Sequence, residues 1–208
     1  MAYQMFYEER ENLSIYKYNK LLHSIKEEHP NYKKQEFKVV KLRFVRNGIW
    51  AVEGQDLVRF SLCLKDHKKI YLEKKNIQNQ VVYESTQVIT RKMADRILKG
   101  DIEWMKNHKK VILKELYLQM VINDLRPGSI TIYDTETIET DQKIEMIIDK
   151  KIQKVIGGET NLFLDDFDTI QCLDESEYAV TYKRKAVIPK VLTNILQGSE
   201  VVYEPVMA

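Results

Sequence analysis

Residues 57–64 read Leu-Val-Arg-Phe-Ser-Leu-Cys-Leu, and this alternation constrains the chain more than any other feature. Successive side chains of a strand face opposite ways, so Val58, Phe60, Leu62 and Leu64 share one face and Arg59, Ser61 and Cys63 the other. The division recurs: Leu72 against Glu73 and Lys75, Ile130 and Ile132 against Tyr133, Thr135 and Thr137, Val180 and Tyr182 against Thr181 and Lys183, with Glu84 and Thr86 together on one face of 81–89. Strands of this kind build a sheet with one oily and one polar face. Either the polar face looks into bulk water, or the sheet closes into a barrel with a polar lumen and helices over its oily outside.

The order of elements fits both arrangements. A first strand over 7–14 (Tyr-Glu-Glu-Arg-Glu-Asn-Leu-Ser) sets Glu8, Arg10 and Asn12 on one face and Glu9 and Glu11 on the other. Ser14 then caps a helix carrying Ile15, Tyr18, Leu22 and Ile25, which His29-Pro30 stops. Strands are expected at 37–46, 57–64, 69–75 and 81–89, the first of them ending at Asn47-Gly48. Thr90 caps a second helix with Met93, Ile97 and Leu98, ended by Gly100, and a longer helical region runs from Ile102 to about Asp124 before a break at Arg126-Pro127-Gly128. Strands resume at 129–139, 143–149 and 177–185; residues 157–176 form an acidic loop, and Pro189 opens a closing helix with Leu192, Ile195 and Leu196 that Gly198 ends. With 44% hydrophobic residues in 208, a core burying about 70% of the unfolded chain's surface is within reach. The economical expectation is a single α+β domain spanning 1–208 with about eight strands, a sheet large enough to need covering, or closing into a barrel that removes its edges.

Several function classes are expected to be absent. Lys plus Arg number 33 against 31 Asp plus Glu, so no global field draws nucleic acid or an anionic membrane, and any anion site must be local. No hydrophobic stretch approaches the ~20 residues of a membrane span, and the start lacks a signal-peptide pattern, so a cytoplasmic setting with Cys63 and Cys172 reduced is expected. His23, His29, His67 and His108 show no ligand spacing, and Asp165, Asp166 and Asp168 lack the periodicity of a calcium loop. Gly157-Gly158 reads as a turn, Lys183-Arg184-Lys185 as a charged strand end, and Trp50 and Trp104 as core or interface packing.

The chain resembles the VTC-type polyphosphate polymerase domains of the triphosphate-tunnel (CYTH-like) superfamily. Tyr7-Glu8-Glu9-Arg10, followed by Leu13-Ser14 and a helix, is similar to that family's opening Tyr-Glu-x-Lys, with Arg10 at the lysine position. Val58 to Leu62 resembles its Arg-x-Arg strand, Tyr71 to Lys75 its Leu-Glu-x-Lys strand, Val81 to Thr86 its Lys-x-Arg strand, and Met93 to Asp101 its helix ending in Leu-x-Gly-(Glu/Asp). In the second half, Ile130 to Ile138 resembles a Tyr-Asp-Arg strand, Lys143 to Ile152 an Arg-x-Thr-x-Asp segment, and Tyr178 to Leu196 a Glu-x-Lys strand with a Pro-led helix.

The resemblance implies an antiparallel eight-stranded tunnel-like β-barrel with helices packed outside, whose inward bases hold a chain of phosphates and whose glutamates place Mg2+ or Mn2+ where phosphoryl groups transfer. Carried over, the substrate-binding bases are Arg10, Arg59, Lys75 and Lys183, and the metal-facing carboxylates are Glu8 and Glu73. The departures are Ser61 for the second arginine of Arg-x-Arg, Glu84 and Thr86 for Lys-x-Arg, Thr135 and Glu145 for two further arginines, and Thr181 for the metal-binding glutamate. At the matched inward positions these bases face Glu8, Glu73, Glu84 and Glu145, a nearly neutral lumen in which a polyanion loses hydration without surplus cations to replace it. Two function classes follow. One is a pseudoenzyme that binds a polyphosphate, a nucleotide, another small anion or a protein partner. The other is a metal-dependent polyphosphate polymerase or triphosphatase. In either, acid–base pairs are expected inside, with Glu73, Glu84 or Glu145 reaching the surviving bases.

Overall fold

The structure, a computed structural model, describes residues 4–46, 57–78, 81–140 and 145–185. Its elements are β1 (Gln4–Ser14), α1 (Ile15–Glu28), β2 (Lys33–Arg46), β3 (Leu57–Lys65), β4 (Lys69–Gln78), β5 (Val81–Ile89), α2 (Arg91–Leu98), a 3-10 turn (Glu103–Met105), α3 (Val111–Ile122), β6 (Leu125–Glu139), β7 (Glu145–Val155), β8 (Thr169–Gln171) and β9 (Glu177–Lys185). Neighbours run β6-β2-β3-β4-β5-β1-β9-β7, and pairing of β6 with β7 closes the ring into an antiparallel eight-stranded barrel. The short β8 adds to the edge of β7 beyond the stretch that pairs with β9. Closure gives every barrel strand a paired neighbour on both sides. Because directions alternate round the ring, the C-terminal ends of β1, β2, β4 and β7 share an upper rim with the N-terminal ends of β3, β5, β6 and β9.

The oily faces point outward and the helices cover them. Leu42, Phe60, Leu62, Leu72 and Ile130 pack with Ile97, Ile112, Leu113 and Leu116 of α2 and α3. Leu13, Ile138, Met146, Ile148 and Val180 pack with Tyr18 and Ile25 of α1. Truncating a fully buried leucine of this kind costs about 2–5 kcal/mol. The helices start where expected: Ser14 Oγ accepts the Lys17 N–H at 3.4 Å and Thr90 Oγ1 that of Met93 at 3.2 Å. Gly100, at φ 76°, ends the α2 segment with its N–H on Ile97 O.

One buried carboxylate on the outside went unread in the sequence. Glu136 is 1% exposed beneath α1. It accepts the Tyr18 hydroxyl at 2.7 Å and pairs with Lys150 at 2.7 Å and Lys34 at 3.0 Å. Lys150 in turn sits over the Tyr18 ring, so the cluster fastens α1 to β6 and β7.

Several boundaries differ from the sequence expectation. β6 begins at Leu125 and runs through Arg126-Pro127-Gly128, which was expected to break the chain. Pro127 lies beside a register shift between Leu42 and Phe44, where a missing N–H is tolerated, and a Cβ on Gly128 would lie 2.8 Å from Arg43 O. The helical region expected over 102–124 is divided into the 3-10 turn and α3. In the gap His108 Nδ1 accepts the Lys110 N–H, and the His108 ring meets Trp104 edge-on. β1 and β2 begin earlier than expected, at Gln4 and Lys33, and β7 runs on to Val155 past Lys151 at φ 51°. Within the acidic stretch Gly157 and Gly158 turn at positive φ, and Thr169–Gln171 pairs as β8. Trp50, Asn47-Gly48 and the closing helix expected from Pro189 lie outside the described residues. Among the described residues no helix is long and apolar enough to cross a membrane.

Candidate functional site

The inward faces carry the polar positions, and strand register aligns them. Arg59 stands opposite Lys75, and Lys75 opposite Glu84. Glu8 stands opposite Lys183, Lys183 opposite Glu145, and Arg10 opposite Thr181. Glu8 is the hub. Burial pushes its carboxyl up, but Lys75, Lys183 and Arg10 more than offset this and hold it below its ordinary value. Arg59 is lowered by burial and then by Arg43, while Glu8 pulls it the other way. The bases Arg10, Arg59, Lys75 and Lys183 therefore all act on one carboxylate inside the barrel.

Among the described residues three ion pairs cross this inner face, each passing over an intervening strand. Lys41 of β2 reaches Glu73 of β4 at 2.7 Å across β3, where Ser61 Oγ donates to the same carboxylate at 3.2 Å. Lys75 of β4 reaches Glu8 of β1 at 2.9 Å across β5. Lys183 of β9 reaches Glu84 of β5 at 3.0 Å across β1, its ammonium 4.6 Å from the centre of the Phe6 ring. Beneath the bridges Phe6, Ser61, Cys63 and Val82 are buried. Burial raises Glu73, yet Lys41, followed by Lys65 and Lys75, outweighs it and holds the carboxyl at about 2. Burial lowers Lys183, but Glu84 and Glu145 leave it above its ordinary value. Burial, then Glu73, pushes the Cys63 thiol up to about 12. Of the acids expected to reach the matched bases, Glu84 does so; Glu73 is taken by Lys41 instead, and Glu145 acts on Lys183 through its field alone.

Arginines occupy a different position. Among the described residues, the side chains of Arg10, Arg43 and Arg59 make no ion pair and no hydrogen bond. Arg10 and Arg43 are exposed and Arg59 is half-buried. Arg43 stands directly opposite Ser61. Asp149 also points inward, accepting the Thr135 hydroxyl at 2.6 Å; burial raises it, against that bond and the fields of Arg10, Lys41 and Lys75. Sequence matching missed Lys41 and Arg43, and Asp149, the aspartate of the matched Arg-x-Thr-x-Asp segment, was not singled out. The first two were legible, because Lys41 and Arg43 alternate with Val40 and Leu42.

The donor set does not suit a divalent metal. Glu8 and Glu73 are each engaged by a lysine ammonium, and among the described residues no group of three or more His, Cys, Asp or Glu is arranged to hold an ion. At the lower rim Lys33, Gln35, Thr137, Glu139 and Glu145 line a cavity of about 150 Å³. A cleft of about 320 Å³, lined by Arg91, Asp95, Leu98, Lys99, Thr160 and Asn161, lies apart from the inner face.

Solved structures share this architecture. A provisionally assigned adenylate cyclase from Bacillus halodurans superposes with a TM-score of 0.57 at 13% identity, over 99% of this chain and 97% of that one. The provisionally assigned adenylyl cyclase HpAC1 from Hippeastrum, whose dominant activity is that of a triphosphatase, gives 0.53 at 12%, over 94% and 85%. A chain of the Schizosaccharomyces pombe Mediator head module gives 0.52 at 7%, over 93% of each. At such identities these likenesses establish the fold alone. No curated protein sequence matches the chain. The sequence profile of the VTC domain matches residues 13–203, and on the strength of that match, with the closed barrel it accompanies, the chain belongs to the VTC domain family.

Proposed function

We propose that this chain, taken over 1–208 as one tunnel-like domain, is a divergent VTC domain that binds a small phosphate-rich anion weakly and does not turn it over. The observation that carries the reading is the pairing of Lys41, Lys75 and Lys183 with Glu73, Glu8 and Glu84 at 2.7–3.0 Å. A polyphosphate passing that level has to displace carboxylates already in place, leaving them desolvated and repelling it. Thr181, at the position of the family's metal-binding glutamate, lacks the charge to hold Mg2+ or Mn2+, and Thr135 and Glu145 stand where transition-state arginines are expected. Losing one transition-state charge contact commonly costs ~3 kcal/mol, about a hundredfold in rate.

The alternative, a metal-dependent triphosphatase or polyphosphate polymerase, draws support from the arginines Arg10, Arg43 and Arg59, which lack acidic partners among the described residues, and from the triphosphatase activity of the Hippeastrum protein. One assay separates the two. Phosphate release from ATP and from tripolyphosphate, and chain synthesis from ATP, are followed with Mg2+ or Mn2+ for the wild type, Arg59→Ala and Lys75→Ala. Background rates in all three are expected. Robust turnover that both substitutions abolish would return the chain to the catalysts.

A further inference from the structure

The outer side of α3 is apolar where a surface helix is ordinarily polar. Lys114 and Glu115 are the only charges among its 12 residues, Val111–Ile122, and Ile112, Leu113, Leu116, Tyr117 and Met120 are buried against the barrel. The opposite side leaves Val111 47% exposed, Leu118 49%, Val121 55% and Ile122 72%, spaced so that they share one face with the exposed Lys114. A helix apolar all round is ordinarily covered all round. Bases gather at one end of this stripe. Lys106 and Lys109 are exposed in the segment leading into α3, and Lys110 donates to Val88 O at 2.8 Å. That carbonyl lies at the lower rim, one residue from the Ile70–Ile89 rung, so the turn between β3 and β4 brings the exposed Lys68 and Lys69 to the same end. Among the described residues none of these lysines ends on an acid. Of the acids nearby, Glu115 and Asp124 are already paired, with Lys74 and Arg126. Glu103 and Asp66 accept the Tyr117 hydroxyl and the Lys38 N–H, which leaves the surface a surplus of bases.

We infer that this face of α3, with the lysines at its lower end, docks on an anionic lipid bilayer, its four exposed apolar side chains entering the headgroup layer and the ammonium groups lying over anionic headgroups. Lysine suits such a surface, because its apolar stem follows the hydrocarbon boundary while the ammonium stays among the headgroups. The near-zero charge of the whole chain does not oppose the contact: screening confines attraction to about 8 Å at physiological salt, and within that range the surplus is basic. A second copy of the chain fits less well, since four exposed apolar side chains fall far short of the roughly 20–30 residues a side of a stable interface. A nucleic acid would use the lysines and leave the apolar stripe uncovered, and Trp104, in the same segment, is taken up by Arg96 and the His108 ring instead of offering a stacking platform. The contact lies on the flank of the barrel and is independent of the anion-binding reading above.

The test is co-sedimentation of the full chain with vesicles of phosphatidylcholine alone and of phosphatidylcholine mixed with phosphatidylserine. Wild type is expected to bind the mixed vesicles and not the neutral ones, and to be released by high salt. Leu118→Ser with Ile122→Ser, and separately Lys106→Glu with Lys109→Glu, are each expected to weaken binding by about tenfold or more. All four side chains are exposed, so thermal unfolding of both proteins is expected at the wild-type midpoint. A second measurement needs no loss of binding: a polarity-sensitive fluorophore on Ile122→Cys, in a Cys172→Ser background, is expected to shift to the blue when mixed vesicles are added. Failure of wild type to bind mixed vesicles overturns the inference, as does binding that Leu118→Ser with Ile122→Ser leaves intact, or a label that keeps its aqueous emission. Duplex DNA or RNA bound more tightly than the vesicles, and equally by the Leu118→Ser, Ile122→Ser protein, overturns it in favour of a nucleic acid. A lipid-free dimer that the same two substitutions dissolve overturns it in favour of a second copy.

Discussion

Lys41, Lys75 and Lys183 each end on a glutamate within 3.0 Å, whereas Arg10, Arg43 and Arg59, on the same inward surface, end on no acid among the described residues. Exposure separates the lysines from Arg10 and Arg43, while Arg59 is half-buried and stands opposite Lys75. The lysines lie where neighbouring side chains are buried, and a charge there has to be paired, since an isolated ion removed from water costs several kcal/mol. Arg10 and Arg43 stand at the water's edge, where solvent carries the cost and leaves the donors available. Residues of the same sign thus stand in two states: the lysines form a belt paired with glutamates, and the arginines a rim with no acidic partner among the described residues.

The largest effect that can break this comparison is on stability. Glu73→Ala strands the Lys41 ammonium and the Ser61 hydroxyl, and is expected to lower the free energy of unfolding by about 3–5 kcal/mol in urea denaturation. Arg43→Ala removes an exposed, unpaired charge and is expected to shift it by no more than about 0.5 kcal/mol in either direction. Equal losses from the two substitutions would erase the distinction between belt and rim.

A smaller, graded effect concerns pH. The Glu73 carboxyl is held at about 2 in the folded protein against an ordinary 4.5. A depressed acid stabilises the fold in full above its unfolded value, and that contribution fades as pH falls from about 4.5 through 2. Wild type is therefore expected to lose stability over this window more steeply than Glu73→Gln, which has no proton to take up at that site. Parallel acid profiles would show that Glu73 is not paired as described.

Much of the barrel was legible because period-2 alternation reports directly on faces. Arg59, Ser61 and Cys63 fall on the side opposite Phe60 and Leu62, and the caps at Ser14 and Thr90 set the helix starts. What was not legible is long-range. The link from Lys41 to Glu73 joins residues from β2 and β4, and no local pattern ties them. Glu136 looks like one more polar strand residue until α1 covers it and brings Tyr18 to its carboxylate. Pro127 and Gly128 read locally as a breaker, yet a bulge opposite them absorbs both the missing N–H and the close approach to Arg43. Matching to family positions also drew attention away from β2, where Arg43 alternates openly with hydrophobic neighbours.

The central claim, a belt that shuts the middle of the barrel, is tested most directly at Cys63, an inward thiol 2% exposed beneath the Lys41–Glu73 bridge. Cys172 is exposed and would mask the signal, so the measurement uses Cys172→Ser and a small organomercurial, which captures protonated thiols and is therefore little affected by the raised pKa of Cys63. The account predicts that Cys63 stays unmodified in the folded protein and reacts at once on denaturation. Modification under native conditions as fast as that of an exposed thiol would mean that solvent fills the barrel from end to end, and would contradict it.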